Sequence, residues 1–226
     1  MMNLKEVFDR DFLLAYGIPE NKRQDIKQEC TNASDFDLID KEESEENFIV
    51  EFGKGTGSFE NNVGYNVEIL AYDNLVKNYN GKYDAFKGTK SCDFILYSNE
   101  NSTIVLNEHT SSIGDKKKLE VEKDSKIGMT KFQKVEKQLS DTLGKLQAVD
   151  SLNGIISNCI TRICLVSYEL YRATDNENKT RKAFNRVTVQ IDKETGENGA
   201  KLSCWDIEEK GFEYRRISHN YKFRLS

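Results

Sequence analysis

The chain has 226 residues, of which 37% are apolar and 31% charged, and a formal net charge of −5. That length suits one domain with elaborations and suffices to bury a core, and the composition is that of a soluble globular protein. No apolar run is long enough to cross a bilayer and Met1-Met2-Asn3-Leu4-Lys5-Glu6 lacks the apolar core of a secretion signal, so a cytoplasmic protein with no membrane partner is expected.

The N-terminal segment places Leu4, Val7, Phe8, Phe12, Leu13 and Leu14 on a rough helical face that ends at Gly17-Ile18-Pro19. Pro19, the only proline, fits the first turn of a second helix through Ile26. From Asn32 to Asn47 the chain turns acidic and polar, which predicts a solvated loop that Phe36, Leu38 and Ile39 could pin. An alternative is that its acids occupy a basic groove in a resting state. Residues 1–47 thus read as a helical elaboration with an acidic loop, 48–186 as the core, and 187–226 as a β extension of the same domain.

Phe48 to Phe52 predicts a strand. The Gly53-Lys54-Gly55-Thr56-Gly57 run after it lacks the lysine and hydroxyl spacing of a nucleotide-binding loop, so ATP is discounted. Val67, Ile69, Leu70, Leu75 and Val76 predict a helix within 63–78 that carries Glu68 and is ended by Gly81. Tyr83 to Phe86 predicts a short strand.

The clearest β signal follows. Ser91 to Tyr97 and Thr103 to Thr110 are rich in aromatic and β-branched residues and are separated by a polar turn, which predicts a hairpin. Asp93 enters its first strand and Glu108 leaves its second, so antiparallel pairing should bring the two carboxylates side by side. Neighbouring acids repel unless a cation separates them, which makes them a candidate Mg2+ or Mn2+ site. The bland alternatives are an Asp93 satisfied by backbone amides and a Glu108 paired with a lysine of the following loop.

After a charged connection containing Lys116, Lys117 and Lys118, the residues Phe132, Val135, Leu139, Leu143, Leu146 and Val149 recur at three- and four-residue steps and predict a long amphipathic helix. Lys131, Lys134, Gln138 and Lys145 fall on a neighbouring face. Ile160 to Tyr168 reads as a strand covered on both faces, which makes the helix a crossover within a mixed sheet. Val187 to Ile191, Leu202 to Ile207, Phe212 to Tyr214 and Tyr221 to Leu225 read as antiparallel strands that extend or cap that sheet.

The five cysteines form no CxxC pair, and Cys92 and Cys164 sit within apolar strands, so buried reduced thiols are expected. With only His109 and His219 present, chemistry falls to carboxylates, lysines and amides. Charge is unevenly distributed: residues 1–111 hold 11 basic and 21 acidic side chains, 112–186 hold 15 and 10, and the remainder 7 and 7. A basic segment directly after Glu108 is what a phosphodiester substrate needs.

The order of an acidic helix with Glu68, a strand with Asp93, a strand ending in Glu108, a helix with Gln138 and Lys134, and then an apolar strand resembles the core of the PD-(D/E)XK nuclease superfamily, the restriction endonuclease-like fold. The resemblance covers roughly residues 63–170. It implies an α/β (α+β) fold with a mixed sheet flanked by helices. It implies Asp93, Glu108, the carbonyl of His109 and Glu68 as ligands of Mg2+ or Mn2+, and Gln138 and Lys134 as polar catalytic positions. Lys116, Lys117, Lys118 and Lys131 would contact nucleic acid, with DNA favoured. A partner protein in a prokaryotic defence or restriction system and a homodimer are further implications. The family's lysine two residues after the second acid is here Thr110, so either a lysine arrives from elsewhere, Lys131, Lys134 or one of Lys116 to Lys118, which is the leading reading, or the chain is a catalytically inactive relative that binds nucleic acid or protein.

Overall fold

The computed structural model describes residues 3–39, 48–50, 57–113, 131–170, 198–218 and 221–225. At the N-terminus, α1 (Leu4–Val7) passes through a π-helical turn at Phe8–Phe12 into α2 (Leu13–Ala15). The predicted face buries Leu4, Val7, Phe8, Phe12 and Leu13, whereas Leu14 is exposed. Pro19 does not open a helix to Ile26. A single 3-10 turn, Glu20–Lys22, buries none of its own side chains and so has no packing to sustain further turns, and the chain extends into β1 (Gln28–Thr31).

The acidic stretch is not wholly loop. β2 (Asp35–Leu38) buries Phe36, Asp37 and Leu38 and pairs with β3 (Ile49–Val50) and β4 (Gly57–Glu60). The chain approaches closely at Gly57, where a Cβ would stand 3.2 Å from Ser167 Oγ and 3.3 Å from Asn107 Oδ1, so a larger residue would need those side chains to shift. The helix expected within 63–78 is in fact β5 (Val67–Ala71) followed by α3 (Tyr72–Tyr79). β5 is buried on both faces, so it lacks the alternation that marks a half-exposed strand. Tyr83 to Phe86 forms no strand; Asp84–Phe86 is a 3-10 turn.

The hairpin forms as β6 (Phe94–Ser98) and β7 (Thr103–Ile113), with register from Ser98↔Thr103 to Phe94↔Asn107. α4 (Lys131–Gln147) carries the predicted apolar stripe. It is a shorter helix than the stripe suggests, because Val149 is extended and precedes a second helix, α5 (Asp150–Asn158). β8 (Thr161–Leu170) lies parallel to β7, as a crossover requires. Then come β9 (Ala200–Leu202), α6 (Trp205–Glu208), β10 (Glu213–Ser218) and β11 (Phe223–Arg224). The Leu202 to Ile207 run is therefore split between strand and helix, and β10 is parallel to β8 rather than antiparallel. Val187 to Ile191 lies outside the described residues.

These strands build a mixed seven-stranded sheet, β1-β5-β6-β7-β8-β10-β9, and a four-stranded sheet, β11-β4-β2-β3. One face of the large sheet packs Leu70, Ile95, Leu106, Cys164 and Val166 against the helices, represented by Phe8, Phe12, Leu139 and Leu143. Its other face packs Phe94, Leu96, Val105 and Leu165 against Phe36, Phe59 and Phe223 of the small sheet. The molecule is a three-layer α/β structure of the α+β class. Among the described residues no helix is long and apolar enough to cross a membrane.

Candidate functional site

Continuing the hairpin register one step beyond Phe94↔Asn107 sets Asp93 opposite Glu108. Alternation along β7 puts Glu108 on the face of Leu106, toward α4, while Asp93 lies in the bend that leads into β6. The two acids are buried, 9% and 5% exposed, so their placement is a commitment that the fold must compensate.

Each carboxylate is oriented by a named donor. The backbone N–H of His109 donates to Asp93 Oδ2 over 2.6 Å, and Gln138 Nε2 donates to Glu108 Oε1 over 2.8 Å. Gln138 also donates to Ser91 O at 3.1 Å, tying α4 to the strand that enters at Asp93. One turn later Thr142 Oγ1 accepts from Cys92 N at 3.0 Å. Cys92 lies in the midst of this arrangement: burial first, then the charges of Glu108 and Asp93, push its thiol well above its ordinary pKa.

Asp73 is a member the sequence did not disclose. The N–H groups of Tyr72 and Asp73 both donate to Asp93 O, at 2.9 and 3.3 Å. Asp73 Oδ1 accepts from Ser91 Oγ at 2.6 Å, and its Oδ2 pairs with Lys77 at 2.6 Å. A polar chain thus runs Lys77, Asp73, Ser91, Gln138, Glu108. The available signal was an acid in the first turn of a helix that starts right after a strand, and it was hidden by reading strand and helix as one element.

The remaining expected residues are dispersed. Glu68 lies on β5 opposite Tyr97, at the far end of the ladder from Phe94, and its Oε2 accepts from Leu4 N at 2.7 Å and Gln28 Nε2 at 3.0 Å. It anchors the start of α1 and is not brought to the acidic pair. Lys134 is exposed on α4 one turn before Gln138, and His109 alternates to the other face from Glu108. Thr110 is buried beside Tyr168 of β8, an uncharged group at that position. Lys116, Lys117 and Lys118 lie outside the described residues, as does the side chain of Lys131.

Two carboxylates and nearby backbone and amide oxygens form the hard donor set that Mg2+ takes from proteins, which supply one or two carboxylates and leave the rest to water or phosphate. Among the described residues no group of three or more His, Cys, Asp or Glu side chains could hold a metal. Any ion here therefore depends on the Asp93–Glu108 pair. No family model matches the chain, and no curated protein or solved structure matches it either.

Proposed function

We propose that this chain is a divergent PD-(D/E)XK-type nuclease that hydrolyses phosphodiester bonds of nucleic acid, with DNA the favoured substrate, in a prokaryotic defence or restriction setting. The observation that carries the reading is the opposed, buried Asp93 and Glu108 with Gln138 reaching Glu108 from the crossover helix. The element order supports it as well: an antiparallel β5-β6-β7 meander, then α4, then β8 parallel to β7.

Asp93, Glu108 and the His109 carbonyl would hold Mg2+ or Mn2+, which when bound acidifies water and offsets charge developing on phosphorus. The chain's own residues then supply orientation. His109 N fixes Asp93, Gln138 fixes Glu108, and the Asp73–Lys77 pair braces Ser91 behind them. Thr110 offers no charge, so cationic help would come from Lys134 on the exposed face of α4 or from the lysines of residues 114–131.

A second reading, a non-catalytic relative that binds nucleic acid or a protein, is favoured by Thr110 alone. Cleavage of linear and plasmid DNA in Mg2+ and in Mn2+ by wild type, Asp93→Asn and Glu108→Gln separates the two. The nuclease reading expects turnover in wild type and at least about a hundredfold loss in either variant. Equal rates in all three would discard the assigned site, and salt-sensitive binding without turnover would select the second reading.

A further inference from the structure

The connection between α3 and β6 carries a charge that the averages over longer stretches conceal. Residues 1–111 hold 11 basic and 21 acidic side chains, yet four of those bases, Lys77, Lys82, Lys87 and Lys90, fall within residues 74–92, where Asp84 is the sole acid. Lys77 is paired with Asp73 at 2.6 Å. Lys82 donates to a backbone carbonyl, Asn78 O, at 3.0 Å, and among the described residues neither it nor Lys87 nor Lys90 has a carboxylate partner. These three lysines set against Asp84 leave an excess of two positive charges along the stretch. Lys82 and Lys87 are exposed and Lys90 is half-buried.

The stretch is held beside the acidic pair. Gly88 N donates to Asn80 Oδ1 at 3.3 Å and closes it into a loop. Phe86, which is fully buried, and Lys145 of α4, which donates to Ala85 O at 2.6 Å, fasten the loop to the helix side of the molecule. Nearer the start of α4, Gln138 donates to Ser91 O at 3.1 Å and to Glu108 at 2.8 Å. Lys87 and Lys90 therefore lie on the chain between a contact at Lys145 and a contact at Gln138, about 10 Å apart along the helix at its ordinary rise. Lys90 stands three residues before Asp93, within about 11 Å of it even on a fully extended chain. A DNA duplex presents one negative charge per about 1.7 Å of axis, so a loop of this extent beside the acids meets about six phosphate charges.

We propose that the α3–β6 connection is a phosphate-contacting surface that holds nucleic acid against the acidic pair, through Lys82, Lys87 and Lys90. The choice of partner rests on the nuclease reading, whereas the surface itself uses none of that site's residues. Its contacts are with backbone phosphates, so they set position and are indifferent to base sequence.

The test is fluorescence anisotropy of a labelled DNA duplex titrated with the full chain in EDTA, where no strand is cut, from about 50 to about 200 mM salt. Wild type should bind, with log affinity falling linearly against log salt. Each phosphate contact contributes about 0.9 to that slope, so Lys82→Gln/Lys87→Gln/Lys90→Gln should flatten it by up to about 2.7 and weaken binding by roughly tenfold or more at the lower salt. Lys5→Gln/Lys201→Gln/Lys222→Gln removes as many charges from α1, β9 and the turn before β11, where each lysine is paired with a carboxylate, and should keep the wild-type slope. The surface is overturned if wild type does not bind, if the loop variant keeps the wild-type slope, or if the second triple variant flattens it as much. Cleavage in Mg2+ and Mn2+ is scored separately. Wild-type turnover with an unchanged slope in the loop variant retains the nuclease and discards the surface; a lysine-dependent slope without turnover retains the surface and discards the nuclease. Should the loop variant melt early, Lys82→Gln/Lys87→Gln, with both side chains exposed, decides by the same criterion.

Discussion

Gln138 on α4 hydrogen-bonds Glu108 on β7 at 2.8 Å while also holding Ser91 O at 3.1 Å, so one amide joins the crossover helix to β7 and to the segment leading into β6. Replacing it by alanine leaves a buried carboxylate with one donor fewer. A hydrogen bond to a charged group contributes about 1.5–3 kcal/mol, and Gln138→Ala should lose stability of that order in urea denaturation. If Glu108 ligates a metal, the same change should weaken Mn2+ affinity by roughly 10–100-fold, as removal of a ligand's orienting partner does. A stability loss with Mn2+ affinity intact would reduce Gln138 to a structural tie.

Tyr72 points the other way. It is fully buried among Phe8, Phe12 and the helix-side core, and its hydroxyl has no hydrogen-bond partner among the described residues. Burial holds that hydroxyl well above its ordinary pKa, so it remains a neutral polar group in apolar surroundings. Tyr72→Phe should therefore raise stability by about 1 kcal/mol, seen as a higher urea midpoint with an unchanged slope. A lower midpoint would mean the hydroxyl makes a contact worth keeping.

The cysteines give a pH dependence. Burial pushes Cys159 from 9.0 to about 11, opposed only by Arg162, and also holds Cys92 and Cys164 well above the ordinary thiol range. A raised folded-state pKa means the folded chain holds the thiol proton more tightly than the unfolded chain. The stabilisation is fully present below about pH 9 and is lost as pH rises through about 11. Urea midpoints should fall across that window, and the fall should be shallower in Cys159→Ala. At pH 8 a thiol reagent should label exposed Cys30 first and Cys204 slowly, reaching Cys92, Cys159 and Cys164 only on unfolding.

What could be read from the chain and what could not follow one physical division. The hairpin, the α4 stripe and β8 were legible because each carries a strong period or an uninterrupted apolar run ending at a polar turn. β5 and α3 were misread as one helix because Val67, Ile69 and Leu70 are buried on both faces of a sheet, which removes the alternation that separates strand from helix. The four-stranded second sheet was invisible for another reason. Its strands are two to four residues long and come from sequence-distant segments, with β11 pairing β4 across more than 160 positions, so no local pattern announces them. At the site, the hairpin register that brings the Asp93 and Glu108 ends of the chain together was legible. Asp73 and the displacement of Glu68 to the α1 end were not, since both depend on where a strand stops and a helix begins.

Opposed buried carboxylates also make a thermodynamic prediction that needs no substrate. Where Asp93 and Glu108 are both ionised in EDTA, their like charges oppose each other at the end of the hairpin, and Glu108→Gln removes that repulsion while Gln138 can still donate to the new side-chain carbonyl. The variant should thus be as stable as wild type, or more so, without metal. A ligand that binds only the folded state adds about 2.7 kcal/mol at a hundred times its Kd, which for a chain of this size raises Tm by roughly 5 °C or more. Millimolar Mn2+ should produce that rise in wild type and leave Glu108→Gln and Asp93→Asn where they were, reversing the order of stability seen in EDTA. Differential scanning fluorimetry in EDTA and in Mn2+ reads both halves of the prediction. An equal rise in all three proteins would locate the ion elsewhere. No rise in wild type would remove the metal from the site, leaving Gln138 and His109 as the groups that hold two structural acids.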